Sequence, residues 1–215
     1  MTLDLRCYLV TSGTSRSTVA VAAEAAAAGA GMVQVRAKDA SAAELLALTV
    51  AVADAVQTAR PTTRVLVDDR ADVAFAARRR GVAVHGVHLG QEDLPVAAAR
   101  ALLGPDAIIG LTTGTLELVH ASQEVAHLVD YLGAGPFRPT PTKDSGREPL
   151  GVDGYRALVE STPLPIVAIG GINSTDVGPL ASTGIAGVAV VRAIMAAERP
   201  GDIVREVLTA FDAQA

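Results

Sequence analysis

The chain has 215 residues, of which 50% are apolar and only 3% aromatic, and its formal net charge is −5. This length fits one domain over residues 1–215, with a core built from Ala, Val, Leu and Ile. Because positive charge is neither in excess nor gathered in a long tract, the composition argues against a nucleic-acid partner. The single cysteine, Cys7, excludes an intramolecular disulfide and a cysteine-based zinc site.

The sequence shows neither a signal-peptide pattern nor an evident apolar run of about 18 residues, the length a membrane-spanning helix needs. We therefore expect a cytoplasmic protein without a membrane partner.

Strand-like apolar segments alternate with Ala-rich amphipathic segments along the chain. We predict strands at 7–11, 32–36, 64–69, 86–90, 107–112, 131–137, 165–171 and 187–194. We predict helices at 16–28, 42–58, 71–80, 95–103, 116–128, 152–160, 175–182 and 202–212, the second of them capped by Ser41. Eight such units without a linker predict a closed (β/α)₈ TIM barrel, and an open doubly wound sheet is the alternative.

The second strand ends in alternating polar and apolar residues. A period of two places Gln34, Arg36 and Lys38 on one face. Two inward cations cost free energy unless an anion meets them, so the pattern indicates an anionic ligand. A salt bridge to Asp39 or Glu44 is the simpler alternative, but it does not explain why both Gln34 and Arg36 face inward.

Acidic residues follow the third and fourth strands. Asp68 and Asp69 close the third strand, and Asp93 comes just past the fourth, with Glu92 beside it. Neighbouring parallel strands lie about 5 Å apart, so the carboxylates of Asp69 and Asp93 can reach one metal ion. With a phosphorylated substrate they would form a Mg²⁺ site; without one they would simply pair with the inward cations.

Later strand ends offer groups that bind anions. The fifth strand delivers the hydroxyl of Thr112. The sixth runs into a long loop, in which Thr140, Thr142 and Lys143 can converge on an anion. The loops after the seventh and eighth strands of such barrels often hold a phosphate with backbone N–H groups, and Gly171 permits a close approach.

Five sequence blocks occur in order along the chain: Gln34-Val35-Arg36-Ala37-Lys38, Asp68-Asp69-Arg70, 86–93, 139–143 and Ile169-Gly170-Gly171-Ile172. Together they resemble the thiamine phosphate synthase family, whose members are (β/α)₈ barrels. These enzymes join 4-amino-5-hydroxymethyl-2-methylpyrimidine diphosphate to 4-methyl-5-(2-hydroxyethyl)thiazole phosphate and release thiamine phosphate and diphosphate. One block alone would be a weak signal, whereas five in order over most of the chain are specific.

The resemblance implies a role for each residue singled out above. Asp69 and Asp93 would hold Mg²⁺, and Gln34 would contact the pyrimidine. The groups implied around the diphosphate are Arg36, Lys38, Thr112 and Lys143. Those implied at the thiazole phosphate are Thr140, Thr142, Gly171 and the backbone of Val191 and Arg192. No protein nucleophile is needed, because positioning and electrostatic stabilisation by Arg36, Lys38 and Lys143 suffice.

Three features depart from the family pattern. Asp68 stands where Asn is usual; an ionised carboxylate only accepts hydrogen bonds, so Asp68 is either an altered substrate contact or an additional metal ligand. A few extra residues at 78–84 fall before the fourth strand, on the rim opposite the site. Arg192 stands where Ser is frequent, and it either binds the thiazole phosphate or points to solvent.

Two other functions compete with the synthase. A related barrel, the thiazole tautomerase, needs a proton-transfer residue rather than a diphosphate site, and it would give the acids and cations no task. Separately, His88 alternates into a strand and is interpreted as a packed residue rather than a base. A non-catalytic barrel that binds phosphorylated metabolites would bind without releasing diphosphate. The acids and cations favour the synthase, so the expected partners are its two small-molecule substrates, with a homo-oligomer left open.

Overall fold

Eight short parallel strands form the centre of the protein. The structure is a computed structural model that describes residues 3–139, 146 and 148–214. The strands β1 to β8 are Cys7–Val10, Met32–Val35, Arg64–Asp68, Gly86–Leu89, Ile108–Thr113, Tyr131–Ala134, Ile166–Ile169 and Gly187–Val190. Each pairs with the next in parallel, and β8 pairs with β1, so the sheet closes. The predicted (β/α)₈ barrel is confirmed, and the open sheet is excluded.

The helices pack around this barrel in chain order. Helices α1 to α9 are Arg16–Ala27, Ala42–Ala59, Ala71–Arg79, Val96–Leu103, Leu116–Ala121, Gly151–Glu160, Val177–Ala181, Arg192–Met195 and Pro200–Asp212. Two 3₁₀ segments adjoin them, Ser122–Leu128 after α5 and Ser174–Asp176 before α7. A strand followed by a helix can return to a parallel neighbour only over the outside of the sheet, which is why the helices form the outer layer.

The barrel separates two apolar layers. Alternate strand residues point inward and fill the interior, and their neighbours point outward against the helices. The inner cluster includes Tyr8, Met32, Leu66 and Tyr131, all essentially inaccessible to solvent. The outer layer is the larger one and consists mainly of Ala, Val, Leu and Ile, as the composition predicts.

Helix α2 begins with a reciprocal cap. Ser41 Oγ accepts a hydrogen bond from the Glu44 backbone N–H, and the Glu44 carboxylate accepts from the Ser41 N–H at 2.8 Å. This capping box satisfies two backbone donors at the helix start, and it confirms Ser41 as the predicted N-cap.

By length and composition alone, α2 is the one helix in the described part of the chain apolar enough to cross a bilayer, with a mean hydropathy of 1.4. The expectation that no such run exists is therefore wrong. Leu45, Leu48, Val52 and Val56 recur at helical spacing and are buried in the outer apolar layer. This periodic burial is what a helix covering a barrel requires.

Most predicted strands extend past the observed carboxyl end, by the largest margins at β6 and β8. β6 ends at Ala134, before the Gly135–Pro136 peptide, rather than at 137. β8 ends at Val190 rather than at 194, because the chain turns into the short helix α8 at Arg192. Residues 78–84 span the end of α3 and the connection to β4, on the rim opposite the carboxyl ends of the strands, as predicted.

Candidate active site

One cavity of ≈ 420 Å³ opens at the carboxyl ends of the strands. Its mouth carries charged groups and its floor is buried, since the Lys38 side chain is 46% exposed and Gln34 only 4%. The predicted site residues that line it are Gln34, Arg36, Lys38, Asp68, Asp69, Thr112, Gly171, Val191 and Arg192. These residues come from separate strand ends, and closure of the barrel brings them together.

The cations that follow β2 are paired with the acids at the end of β3. Arg36 Nε lies 3.2 Å from Asp68 Oδ2, and Lys38 Nζ lies 2.6 Å from Asp69 Oδ2. The register sets these pairs. Val35 lies opposite Val67, so the residues that follow this pair along the two chain segments are neighbours. The hydrogen bond that Lys38 donates to Asp69 raises the pKa of Lys38, so this ammonium stays protonated.

The alternative partners considered for these cations, Asp39 and Glu44, are wrong. Glu44 caps α2 instead, and the acids that neutralise the cations come from the neighbouring strand. The inward placement of Arg36 and Lys38 is confirmed by their position in the cavity lining.

Asp69 and Asp93 bring two carboxylates into contact. Burial, and then the hydrogen-bonding contact with Asp69, raise the pKa of Asp93, while the Gly90 N–H donates to Asp93 Oδ2 at 2.6 Å. Asp69 has a φ of 60°, the only non-glycine residue with positive φ in the described ranges. Such a conformation costs free energy and often marks a functional site.

Asp68 does not complete a metal site of three acids. Within residues 3–139, 146 and 148–214, no group of three His, Cys, Asp or Glu side chains is arranged to hold a metal ion. Its carboxylate faces the Arg36 guanidinium, and its side chain is only 11% exposed. The structure therefore favours Asp68 as a partner of Arg36 over Asp68 as an additional metal ligand.

The floor of the cavity is polar where an all-apolar barrel interior would be expected. Gln34 bonds to Tyr8, Tyr8 to Tyr131, Tyr131 to His88 and His88 to Thr112, through contacts of 2.8–2.9 Å. His88 is thus packed, as predicted, with its ring stacked on Tyr131 at 5.5 Å between centroids. Thr112, implied at the diphosphate, also serves this internal network.

Known proteins resemble the chain over nearly its whole length. The family model for thiamine monophosphate synthase matches residues 7–194. The chain is 60% identical to a thiamine-phosphate synthase of Corynebacterium jeikeium over 209 residues, covering 97% of this chain and 95% of that protein. A thiamine-phosphate synthase of Corynebacterium efficiens is 59% identical, with 98% and 96% covered.

The chain belongs to the thiamine monophosphate synthase family. A solved thiamine phosphate pyrophosphorylase from Pyrococcus furiosus superposes with a TM-score of 0.85 at 32% identity, covering 99% of this chain and 98% of that one. The resemblance drawn from the five sequence blocks is confirmed, and with it a transferase of thiamine biosynthesis built on a TIM barrel.

In this member of the thiamine monophosphate synthase family, the segment after β6 lies along the end of β7. The Phe137 and Arg138 N–H groups donate to the Ile169 and Gly170 carbonyls at 2.9 and 3.1 Å. Gly171 has a φ of 73°, and a Cβ there would overlap the Arg138 side chain. Gly170 has a φ of 106°, and a Cβ there would approach Pro136 Cα to 2.8 Å, so both positions of the double glycine in the sequence blocks require glycine.

The cavity-lining residues that sequence reasoning missed include Tyr8, Tyr131 and Arg138. Tyr8 and Tyr131 sit in apolar strands, where tyrosine is most simply interpreted as core. Their inward position under period two was the available signal. Arg138 forms an ion pair with Asp176, and nothing in the sequence connects the two. The predicted residues Thr140, Thr142 and Lys143 lie outside the described residues.

Proposed function

We propose that the chain is a cytoplasmic thiamine phosphate synthase that condenses 4-amino-5-hydroxymethyl-2-methylpyrimidine diphosphate with 4-methyl-5-(2-hydroxyethyl)thiazole phosphate. The observation that carries the proposal is a single cavity with paired cations and carboxylates at its mouth and a buried polar floor. The charged mouth suits a diphosphate and a metal ion, and the floor suits a flat heterocycle.

Arg36 and Lys38 bind the diphosphate in this proposal. Each is held in place by a carboxylate of β3 or the turn after it, so little side-chain entropy is lost when the diphosphate arrives. Thr112 adds a hydroxyl donor, and Lys143 is carried over from the family resemblance. These groups stabilise the negative charge that grows on the leaving oxygen, which is the main electrostatic task of the reaction.

Asp69 and Asp93 fit a Mg²⁺ ion. The two carboxylates are in contact, and the pKa of Asp93 is raised. A divalent cation bound by both would reduce the repulsion between them. Mg²⁺ is usually bound by one or two protein carboxylates together with phosphate oxygens, so two acids suffice. When bound, the ion would neutralise charge on the diphosphate.

The pyrimidine lies on the cavity floor against Gln34. The surrounding side chains, Tyr8, Val10, Tyr131 and Val167, exclude water from the reacting carbon. Electron donation from the aminopyrimidine ring stabilises the methylene as it becomes cationic. Exclusion of water protects this carbon from hydrolysis until the thiazole attacks.

The thiazole phosphate is bound by the loops after β7 and β8. Gly171, Val191 and Arg192 line this part of the cavity, and backbone N–H groups in such loops commonly hold phosphate. Thr140 and Thr142 are added from the resemblance alone. Arg192 is exposed at the mouth, where its guanidinium can reach an anion from solvent.

The bond changes balance without a protein nucleophile. The bond between the methylene carbon and the diphosphate oxygen breaks, and its electron pair leaves with the diphosphate. The thiazole nitrogen then donates its lone pair to that carbon, which gives thiamine phosphate. The protein contributes position and charge.

The test is diphosphate release from the purified protein with both substrates and Mg²⁺, each omitted in turn. We expect release to require all three components and to be matched by equal formation of thiamine phosphate. Binding of the thiazole phosphate without diphosphate release would refute the proposal and favour a binding protein or a tautomerase.

A further inference from the structure

Five side chains from five strands cross the cavity floor in one hydrogen-bonded chain. Gln34 Nε2 donates to Tyr8 Oη at 2.9 Å, and the two tyrosine hydroxyls lie 2.8 Å apart. Tyr131 Oη lies 2.8 Å from His88 Nδ1, and His88 Nε2 lies 2.9 Å from Thr112 Oγ1. Both ends of this chain, Gln34 and Thr112, line the cavity.

The geometry gives the chain a direction. Tyr8 already accepts from Gln34, and both tyrosines are buried to 1% exposure or less, so every hydroxyl proton needs an acceptor inside the protein. In the described contacts of Tyr8, the acceptor for its own proton is Tyr131 Oη. Tyr131 must then donate to His88 Nδ1. His88 consequently carries its proton on Nε2 and donates to Thr112.

This direction fixes what the two ends present. One N–H of the Gln34 amide donates to Tyr8, which fixes the orientation of the amide and leaves its carbonyl oxygen available to accept from a ligand. Thr112 Oγ1 accepts from His88, so its hydroxyl proton is left to donate. The cavity therefore offers an acceptor at the Gln34 end and a donor at the Thr112 end.

The barrel is shaped to hold this chain. A Cβ at Gly110 would overlap Tyr131 and His88, and one at Gly133 would approach His88 Cε1 to 2.9 Å. Glycine at both positions makes room for the two rings on the inner face of β5 and β6. The rings also pack on one another, with Tyr8 edge-on to Tyr131 at 5.8 Å between centroids.

We propose that Tyr8, Tyr131 and His88 are positioning residues that set the donor and acceptor pattern of the substrate pocket. They hold Gln34 so that it accepts from the exocyclic amino group of the pyrimidine, and Thr112 so that it donates toward the diphosphate. The proposal rests on the proposed function. It predicts that the pocket selects an aminopyrimidine against its oxo counterpart, in which an acceptor replaces the amino donor.

The test compares kcat/KM for the amino substrate with kcat/KM for the 4-oxo analogue of the same diphosphate. In Tyr8→Phe the Gln34 amide loses its partner and can rotate to present NH₂. In Tyr131→Phe the Tyr8 proton loses its acceptor, and rotation of the Gln34 amide supplies Oε1 in its place. We expect each variant to lower the preference for the amino substrate on the order of tenfold, the value of one hydrogen bond.

Tyr155→Phe is the matched control. Tyr155 is equally buried, and its hydroxyl donates to the Ala134 carbonyl at 2.8 Å, outside the chain of five. This variant should keep the wild-type preference even if its stability falls. In the two test variants the KM for the thiazole phosphate should also stay unchanged, which separates an altered pocket from a general loss of structure.

The outcomes distinguish the two proposals. An unchanged amino-to-oxo preference in the test variants overturns the positioning role, because a purely structural network would lower turnover of both substrates equally. If only one of the two test variants folds, its amino-to-oxo preference alone tests the positioning role. If the wild type releases no diphosphate from the amino substrate, the proposed function fails and the positioning role falls with it.

Discussion

Asp93→Asn tests the paired carboxylates most directly. The variant keeps the side-chain shape, and its amide oxygen can still accept the Gly90 N–H bond that Asp93 Oδ2 accepts at 2.6 Å. Burial and the neighbouring Asp69 raise the pKa of Asp93, so the fold disfavours its ionised form. We therefore expect the metal-free variant to be at least as stable as the wild type at neutral pH, while turnover falls at least about a hundredfold.

The expected gain in stability is small. At partly exposed positions two adjacent carboxylates repel by on the order of 1 kcal/mol, since solvent screens them. The Lys38 ammonium, 2.6 Å from Asp69, reduces the repulsion further. For a chain of this size 1 kcal/mol corresponds to about 2–4 °C in Tm. Mg²⁺ at about ten times its Kd should stabilise the wild type by about 1.4 kcal/mol, and this gain should vanish in the variant.

The pH dependence has a defined sign. Because the pKa of Asp93 is raised in the folded state, the folded protein binds more proton there than the unfolded chain does. The metal-free wild type therefore loses stability as pH rises from the ordinary carboxyl pKa through the raised one. The variant lacks this loss. The difference in the free energy of unfolding between the variant and the wild type therefore grows as pH rises through that range and stays constant above it.

Thermal unfolding with and without Mg²⁺, together with diphosphate release, measures all of these effects. Asp72→Asn is the control, since Asp72 pairs with Arg70 at 2.6 Å at the start of α3 and that bond lowers its pKa. It should keep the full response to Mg²⁺ and the full turnover. If Asp93→Asn also kept both, Asp93 would not be a metal ligand.

Three further substitutions test the remaining roles. Asp68→Asn should leave Mg²⁺ affinity unchanged and lower the KM for the pyrimidine diphosphate on the order of fivefold, because one negative charge near Arg36 is removed; a tenfold loss of Mg²⁺ affinity would instead make Asp68 a ligand. Lys143→Ala should keep its circular dichroism spectrum and lose about 10²–10³ in kcat, and near wild-type turnover would remove its assigned role. Arg192→Ala should raise the KM for the thiazole phosphate about tenfold, which is the scale of a charge-assisted hydrogen bond. An unchanged KM would mean that Arg192 points to solvent and does not bind this phosphate.

The barrel, and the end of it that carries the site, could be predicted from the sequence because both follow from local periodicity. The inward direction of Gln34, Arg36 and Lys38 depends only on the alternation along β2 and the residues that directly follow it. Their partners could not be predicted in the same way. Pairing Arg36 with Asp68 requires the register between β2 and β3, which no local pattern contains.

The hydrogen-bonded floor was beyond sequence reasoning for the same reason. Tyr8 and Tyr131 are separated by 123 positions, and only closure of the barrel places their hydroxyls together. The end of β8 was misjudged because Val191 and Ile194 continue the apolar pattern of the strand, although the chain turns into α8 at Arg192. Apolar content marks burial, and it does not distinguish a strand from a buried helical turn.

Under the proposed function, the charges at the ends of β2, β3 and β4 explain why the site would take a metal ion and a diphosphate together. Arg36 and Lys38 are each already matched by an acid of the neighbouring strand end, and Asp93 adds a further carboxylate. These five side chains leave an excess negative charge, which repels a diphosphate that arrives alone. A divalent cation between Asp69 and Asp93 would reverse that excess, so the arrangement favours a diphosphate that enters together with Mg²⁺.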